Sequence, residues 1–109
     1  MEDLSKLRQD IDRIDRQIVE LFEERMGVSR QVAEYKIANG KKVLDRAREL
    51  EKLETLGNLT NDNFNRHGIQ ELFQQIMAMS RKLQYQLLAE EGVSGNLPFT
   101  RIDHIDRKH

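Results

Sequence analysis

The sequence contains no cysteine, which excludes disulfide bonds and thiolate metal sites and fits a reducing compartment. It has no apolar run approaching the ~20 residues that a membrane-spanning helix needs. Its N-terminus, MEDLSKLRQD, is polar and acidic, unlike a signal peptide. Together these absences favour a cytoplasmic protein without a membrane partner.

An excess of charge of one sign is also lacking. The 18 Lys and Arg residues and 19 Asp and Glu residues leave a formal net charge of -1. Domains that bind nucleic acid usually carry a basic excess, so no nucleic-acid partner is predicted. Any attraction for an anionic ligand must therefore come from a local cluster of basic side chains.

Proline occurs once, at Pro98, and valine, isoleucine and threonine form no alternating runs, so no strand is predicted. From the N-terminus, apolar residues instead recur at steps of three and four, as in a heptad stripe. This stripe consists of Leu4, Leu7, Ile11, Ile14, Ile18, Leu21, Val28 and Val32. It predicts a first helix over residues 4–38, with Asp3 as its N-cap and Asn39-Gly40 as its end.

Two further helices follow. The second is predicted from its N-cap Asp45 to Leu56, with Gly57 as the stop. The third is predicted from near Asp62, or from a later residue if Gly68 weakens its first turn, to the Glu90-Glu91-Gly92 segment. The predicted fold class is therefore all-α, with one long N-terminal helix, one short helix and one long helix.

The remaining residues show no sustained periodicity. We expect residues 1–91 to form one domain and residues 92–109 to be either a linker to a further C-terminal domain or a disordered tail. His104 and His109 lie in this tail and are expected to be solvated rather than to bind a metal.

The first helix is too long for a compact monomer. At 1.5 Å per residue it measures roughly 50 Å, whereas a compact chain of this size has a radius of gyration near 13 Å. Its apolar stripe needs a partner along its whole length. An intertwined homodimer is the simplest arrangement that supplies one.

Polar residues occupy positions where the helical stripes predict apolar ones. Arg25 interrupts the first stripe, and Lys36 follows Val32 by one turn. Ser80 and Gln84 interrupt the third helix, four residues apart and hence on one face. Each alone is explained by snorkelling or by a bond to backbone. Together, near the charged residues of the second helix, they favour a pocket for an anion, since buried unpaired cations are costly.

Arg8 flanks the same stripe, beside Leu7 and Ile11. It is 17 residues from Arg25, or about 25 Å along one helix. Both cannot contact one small ligand from the same chain. If Arg8 belongs to the pocket, it comes from a second chain; otherwise it is a surface arginine.

The ordered motifs resemble those of the all-helical chorismate mutases, including the N-terminal domain of bifunctional chorismate mutase–prephenate dehydratases. The resemblance covers residues 4–90. It is carried by LRQDIDRIDRQIVELFEER, VAEYK, VLDRARE and SRKLQ, which begin at residues 7, 32, 43 and 80. It implies a dimer of three-helix chains with shared sites, and conversion of chorismate to prephenate on the route to phenylalanine and tyrosine, with no metal or other cofactor.

The resemblance also implies a role for each matching residue. The substrate-binding set is Arg8, Arg25, Lys36, Asp45, Arg48, Glu49, Ser80 and Gln84. Arginines from the two chains are expected to bind the substrate carboxylates, and Arg48 and Ser80 to help position them. Lys36 and Gln84 are expected to donate to the ether oxygen. Glu49 and the backbone N–H of Asp45 are expected to contact the ring hydroxyl. The residues expected to be catalytic are Arg8, Arg25, Lys36, Glu49 and Gln84.

A non-catalytic, dimeric coiled-coil module is the competing interpretation. The heptads of the first helix alone would support it. A simple zipper, however, does not explain four polar residues directed toward one interior.

Overall fold

The structure is a computed structural model that describes residues 3–94. Within this range the chain forms three α-helices and no strand: α1 (Leu4–Ala38), α2 (Arg46–Gly57) and α3 (Asn63–Ser94). The predicted all-α class and the long, short, long order of helices are confirmed. The chain is elongated, with extents of 64 × 30 × 19 Å and a radius of gyration of 18.3 Å.

The predicted helix starts and the end of α1 are confirmed by their local bonds. The Asp3 side chain accepts a 2.8 Å hydrogen bond from the backbone N–H of Lys6. The Asp45 side chain accepts one of 3.1 Å from the N–H of Arg48. Gly40 follows α1 with a φ of 63°, in the left-handed region that glycine adopts without strain. The two side-chain bonds satisfy backbone N–H groups that the start of a helix leaves unpaired, and the left-handed Gly40 ends α1.

Gly57 is the last residue of α2, in agreement with its predicted end, whereas α3 continues through its predicted end at 90–92 to Ser94. A glycine ends a helix when it turns left-handed, and Gly40 alone does so in the described range. Gly57 is instead buried, and a Cβ there would lie 2.8 Å from Nε2 of Gln70. Residues 95–109, most of the predicted tail, lie outside the described residues, as do His104 and His109.

Helices α1 and α2 both pack against α3. The buried apolar core among the described residues is small, consisting of Ala33, Val43 and Met77. By contrast, every residue from 11 to 21 is exposed, although this segment carries half of the apolar stripe. Leu21 is 64% exposed. The described part of one chain therefore leaves the stripe uncovered.

Candidate active site

A cavity of about 310 Å³ lies where the second half of α1, the start of α2 and the middle of α3 meet. Apolar side chains form part of its wall: Val28, Val32, Val43 and Met77. The rest of the lining is polar or charged. This combination of an apolar wall with a few polar groups is typical of small-molecule sites.

Seven of the eight predicted site residues line this cavity. They come from all three helices and from the cap of α2: Arg25, Lys36, Asp45, Arg48, Glu49, Ser80 and Gln84. The exception is Arg8, which is exposed near the N-terminal end of α1 and does not line the cavity. Within one chain, the fold therefore brings together the whole predicted set except the residue predicted to come from a second chain.

Two hydrogen bonds join α1 to α3 along one side of the cavity. Nη1 of Arg25 donates to Oγ of Ser80 at 2.8 Å. One helical turn further along both helices, Nε2 of Gln84 donates to Oγ of Ser29 at 2.9 Å. Ser29, Ser80 and Gln84 are all buried. These bonds satisfy polar groups that would otherwise be costly to bury.

The guanidinium of Arg25 is held by a second contact. Its Cζ lies 5.9 Å from the centroid of the Phe73 ring, within the range of a cation–π interaction. Together with the bond to Ser80, this contact restricts where the guanidinium can point. A guanidinium has five N–H donors, so donors remain for a ligand.

The α1–α2 connection supplies another wall. Nζ of Lys36 donates to the carbonyl oxygen of Val43 at 2.8 Å. Asp45 uses a side-chain oxygen to cap α2. The N-terminal turn of α2, with its partial positive charge, is therefore fixed beside the cavity.

The structure also shows cavity residues that the sequence interpretation missed. They are Ser29, Lys52 and Arg81. Arg81 of α3 forms an ion pair with Glu49 of α2. Helical spacing carried a signal for Ser29, which lies one turn after Arg25, and for Lys52, which lies three residues after Glu49. Arg81 carried the same kind of signal, because it lies three residues before Gln84 in α3.

The cavity is cationic although the chain is not. Five basic side chains line it, from Arg25, Lys36, Arg48, Lys52 and Arg81, against two carboxylates. One carboxylate caps α2 and the other is paired with Arg81. The whole chain has a net charge of -1. An anionic ligand would therefore be attracted to this cavity specifically.

Two other kinds of site, a metal centre and a membrane-spanning helix, are not found in the described part of the chain. Residues 3–94 contain no group of three or more His, Cys, Asp or Glu side chains placed to hold a metal ion. No helix in the same range is long and apolar enough to span a membrane. The cavity is thus the principal candidate for function in this region.

The fold and cavity define a class of protein: an all-helical domain whose cavity is lined by arginine, lysine and neutral hydrogen-bond donors, as a site for a small anion would be. The family model described as "Chorismate mutase type II" matches residues 7–85. This match covers most of the chain, so the chain belongs to the type II chorismate mutase family. Chorismate mutases are isomerases, which places the chain among enzymes rather than non-catalytic coiled-coil modules.

One curated relative extends the comparison. The chain is 35% identical over 109 residues to the "Bifunctional chorismate mutase/prephenate dehydratase" of Buchnera aphidicola subsp. Schizaphis graminum (strain Sg). The alignment covers 97% of this chain but 28% of that relative. The chain therefore spans between a quarter and a third of the relative's length, and the resemblance to this family is confirmed.

Proposed function

We propose that the chain converts chorismate to prephenate by a Claisen-type rearrangement. The observation that carries this proposal is the cationic cavity on residues matched to the chorismate mutase family. In the reaction an ether C–O bond breaks and a C–C bond forms within one molecule, so no atom is gained or lost. No nucleophile or proton transfer is required. The site has to hold a flexible dianion in a reactive shape and stabilise shifting charge.

Arginines bind the two substrate carboxylates in this mechanism. Arg25 serves one carboxylate, because its guanidinium fork matches a carboxylate with two bonds and its orientation is held by Ser80 and Phe73. Arg8 from the partner chain serves the other. Arg48 lies on the cavity wall and helps position these groups.

Lys36 and Gln84 stabilise the transition state. Both donate to the ether oxygen, which gains negative charge as the C–O bond breaks. A donor aimed at developing charge lowers the barrier more than one that binds ground state and transition state equally. Glu49 accepts a hydrogen bond from the ring hydroxyl, and the backbone N–H of Asp45 donates to the same hydroxyl.

The working form in this proposal is an intertwined homodimer with sites shared between chains. The exposed apolar stripe on α1 supports it, since exposed patches of this extent mark interaction surfaces. The position of Arg8 supports it independently, because about 25 Å of helix separates it from Arg25. A second copy packed along α1 would cover the stripe and bring its own Arg8 to the cavity.

Prephenate leads on toward phenylalanine and tyrosine, so we propose a role in aromatic amino acid biosynthesis. The curated relative's name also includes a prephenate dehydratase. Because the match covers 28% of that relative, we assign only the mutase reaction to the residues matched here.

The test is to incubate the purified chain with chorismate, follow the loss of its ultraviolet absorbance and identify the product by NMR. We expect conversion to prephenate well above the spontaneous rate. The Lys36→Ala variant, purified in the same way, controls for a contaminating host mutase. A wild-type rate equal to that of the variant and of buffer would overturn the proposal.

A further inference from the structure

The ion pair between Arg81 of α3 and Glu49 of α2 lies on the cavity wall, and the mechanism above assigns no role to Arg81. Nη1 of Arg81 contacts Oε1 of Glu49, and the two side chains are 29% and 20% exposed. Because both are partly shielded, salt screens this pair less than it would screen a surface pair. The pair therefore determines where the Glu49 carboxylate lies.

Two other cations lie near Glu49 and would compete with Arg81 for its carboxylate. Among the described residues that line the cavity, Asp45 is the other acid, and its side chain already caps α2. Arg48 precedes Glu49 directly, and Lys52 lies three residues later on the same side of the helix; both line the cavity. Without Arg81, Glu49 would be drawn to these cations. Each pairing would remove a cation from binding a ligand carboxylate.

We propose that Arg81 is a positioning residue for the isomerase reaction. By holding Oε1 of Glu49, it keeps Arg48 and Lys52 available to the substrate carboxylates and leaves Oε2 of Glu49 for the ring hydroxyl. With the Arg81–Glu49 pair neutralised, the remaining cavity cations have no carboxylate partner in the cavity wall: Arg25, Lys36, Arg48 and Lys52. Asp45 offsets one of these four positive charges, and the remaining net positive charge of the cavity suits a dianion. The inference rests on the proposed chorismate mutase function.

The first measurement compares Arg81→Met with wild type. Methionine retains much of the length of the side chain but removes its charge. We expect kcat/KM for chorismate to fall roughly tenfold, the size typical of losing a hydrogen bond to a charged group. Most of this fall should come from a higher KM, because the freed Glu49 carboxylate competes with the substrate carboxylates for Arg48 and Lys52 in the ground state. Arg81→Lys keeps the charge and should regain part of the loss.

The decisive measurement repeats Arg81→Met in a Glu49→Gln background. Glutamine carries no charge to be held away from Arg48 and Lys52, so removing Arg81 there should lower kcat/KM less than about twofold. Lys82→Met is the matched control, since it removes one positive charge next to Arg81 on α3 from an exposed position that does not line the cavity. Its effect should be the same in both backgrounds. An Arg81→Met effect equal in the two backgrounds, or absent from both, would overturn the inference.

Urea unfolding of the same proteins separates positioning from stability. We expect the unfolding midpoints to show coupling between Arg81→Met and Glu49→Gln, and none between Lys82→Met and Glu49→Gln. If the two substitutions are coupled in unfolding but not in kcat/KM, the ion pair only stabilises the fold, and the positioning role is overturned. If wild type itself does not convert chorismate, the proposed function falls. If wild type converts chorismate but the two substitutions show no coupling in kcat/KM, the positioning role of Arg81 is overturned and the proposed function stands.

Discussion

Nζ of Lys36 lies 2.8 Å from the carbonyl oxygen of Val43 and donates a hydrogen bond to it. This contact ties the last turns of α1 to the segment that leads into α2. An ammonium group has three donors, so two remain for a ligand. The cation is therefore held at the cavity wall without a ligand, which is the preorganisation that electrostatic catalysis requires.

Replacing Lys36 by alanine should lower kcat by at least about a hundredfold, with a smaller effect on KM, because removing a donor to developing charge costs about 3–4 kcal/mol. Steady-state kinetics with chorismate measure this. Lys36→Arg, which keeps a positive charge, should retain more kcat than the alanine variant. A near-normal kcat for Lys36→Ala would remove the residue from the mechanism.

Gln84→Glu should be active mainly in acid. The amide of Gln84 is a donor at any ordinary pH, whereas a glutamate there donates only when protonated. Its rate should therefore fall as pH rises, unlike that of wild type. Gln75→Glu is the matched control, because Gln75 is exposed on the opposite side of α3 and should keep the wild-type profile. Full activity of Gln84→Glu at about pH 8 would contradict a bond to the ether oxygen.

Mixing two inactive variants tests the shared site. Arg8→Ala and Arg25→Ala should each be nearly inactive alone. After unfolding together and refolding, the mixture should regain roughly a quarter of wild-type activity, because half of the dimers are mixed and each has one intact site. Arg25→Ala mixed with Lys36→Ala should regain nothing, since both residues come from the same chain of a site. Equal behaviour of the two mixtures would contradict the supply of Arg8 by a partner.

Two glycines should respond oppositely to alanine. Gly40→Ala should lower the free energy of unfolding by about 1–2 kcal/mol, because its φ of 63° is strained for a residue with a Cβ. Gly68→Ala should raise it by up to about 1 kcal/mol, since Gly68 lies within α3 and a Cβ there meets no atom within 4 Å. Urea unfolding at one fixed protein concentration measures both. A loss of stability in Gly68→Ala would indicate a contact outside the described chain.

The sequence by itself determined the number and order of the helices, two of their N-caps and the residue types of the pocket. These depend on local rules: apolar spacing, capping side chains and polar residues that interrupt a stripe. The same locality limits what these rules predict. The close packing of Gly57 against Gln70 depends on the neighbouring helix, and no local rule contains that neighbour.

Only the tertiary structure decided which side chains pair across the cavity. Gln84 and Ser29 are 55 residues apart in sequence, and Arg81 and Glu49 are 32 apart. Such contacts depend on how α1 and α2 lie on α3, which periodicity within one helix does not specify. The sequence indicated an arginine, a lysine and neutral donors for an anion. The packing of the three helices determined that Glu49 is held by Arg81 and Lys36 by a backbone carbonyl.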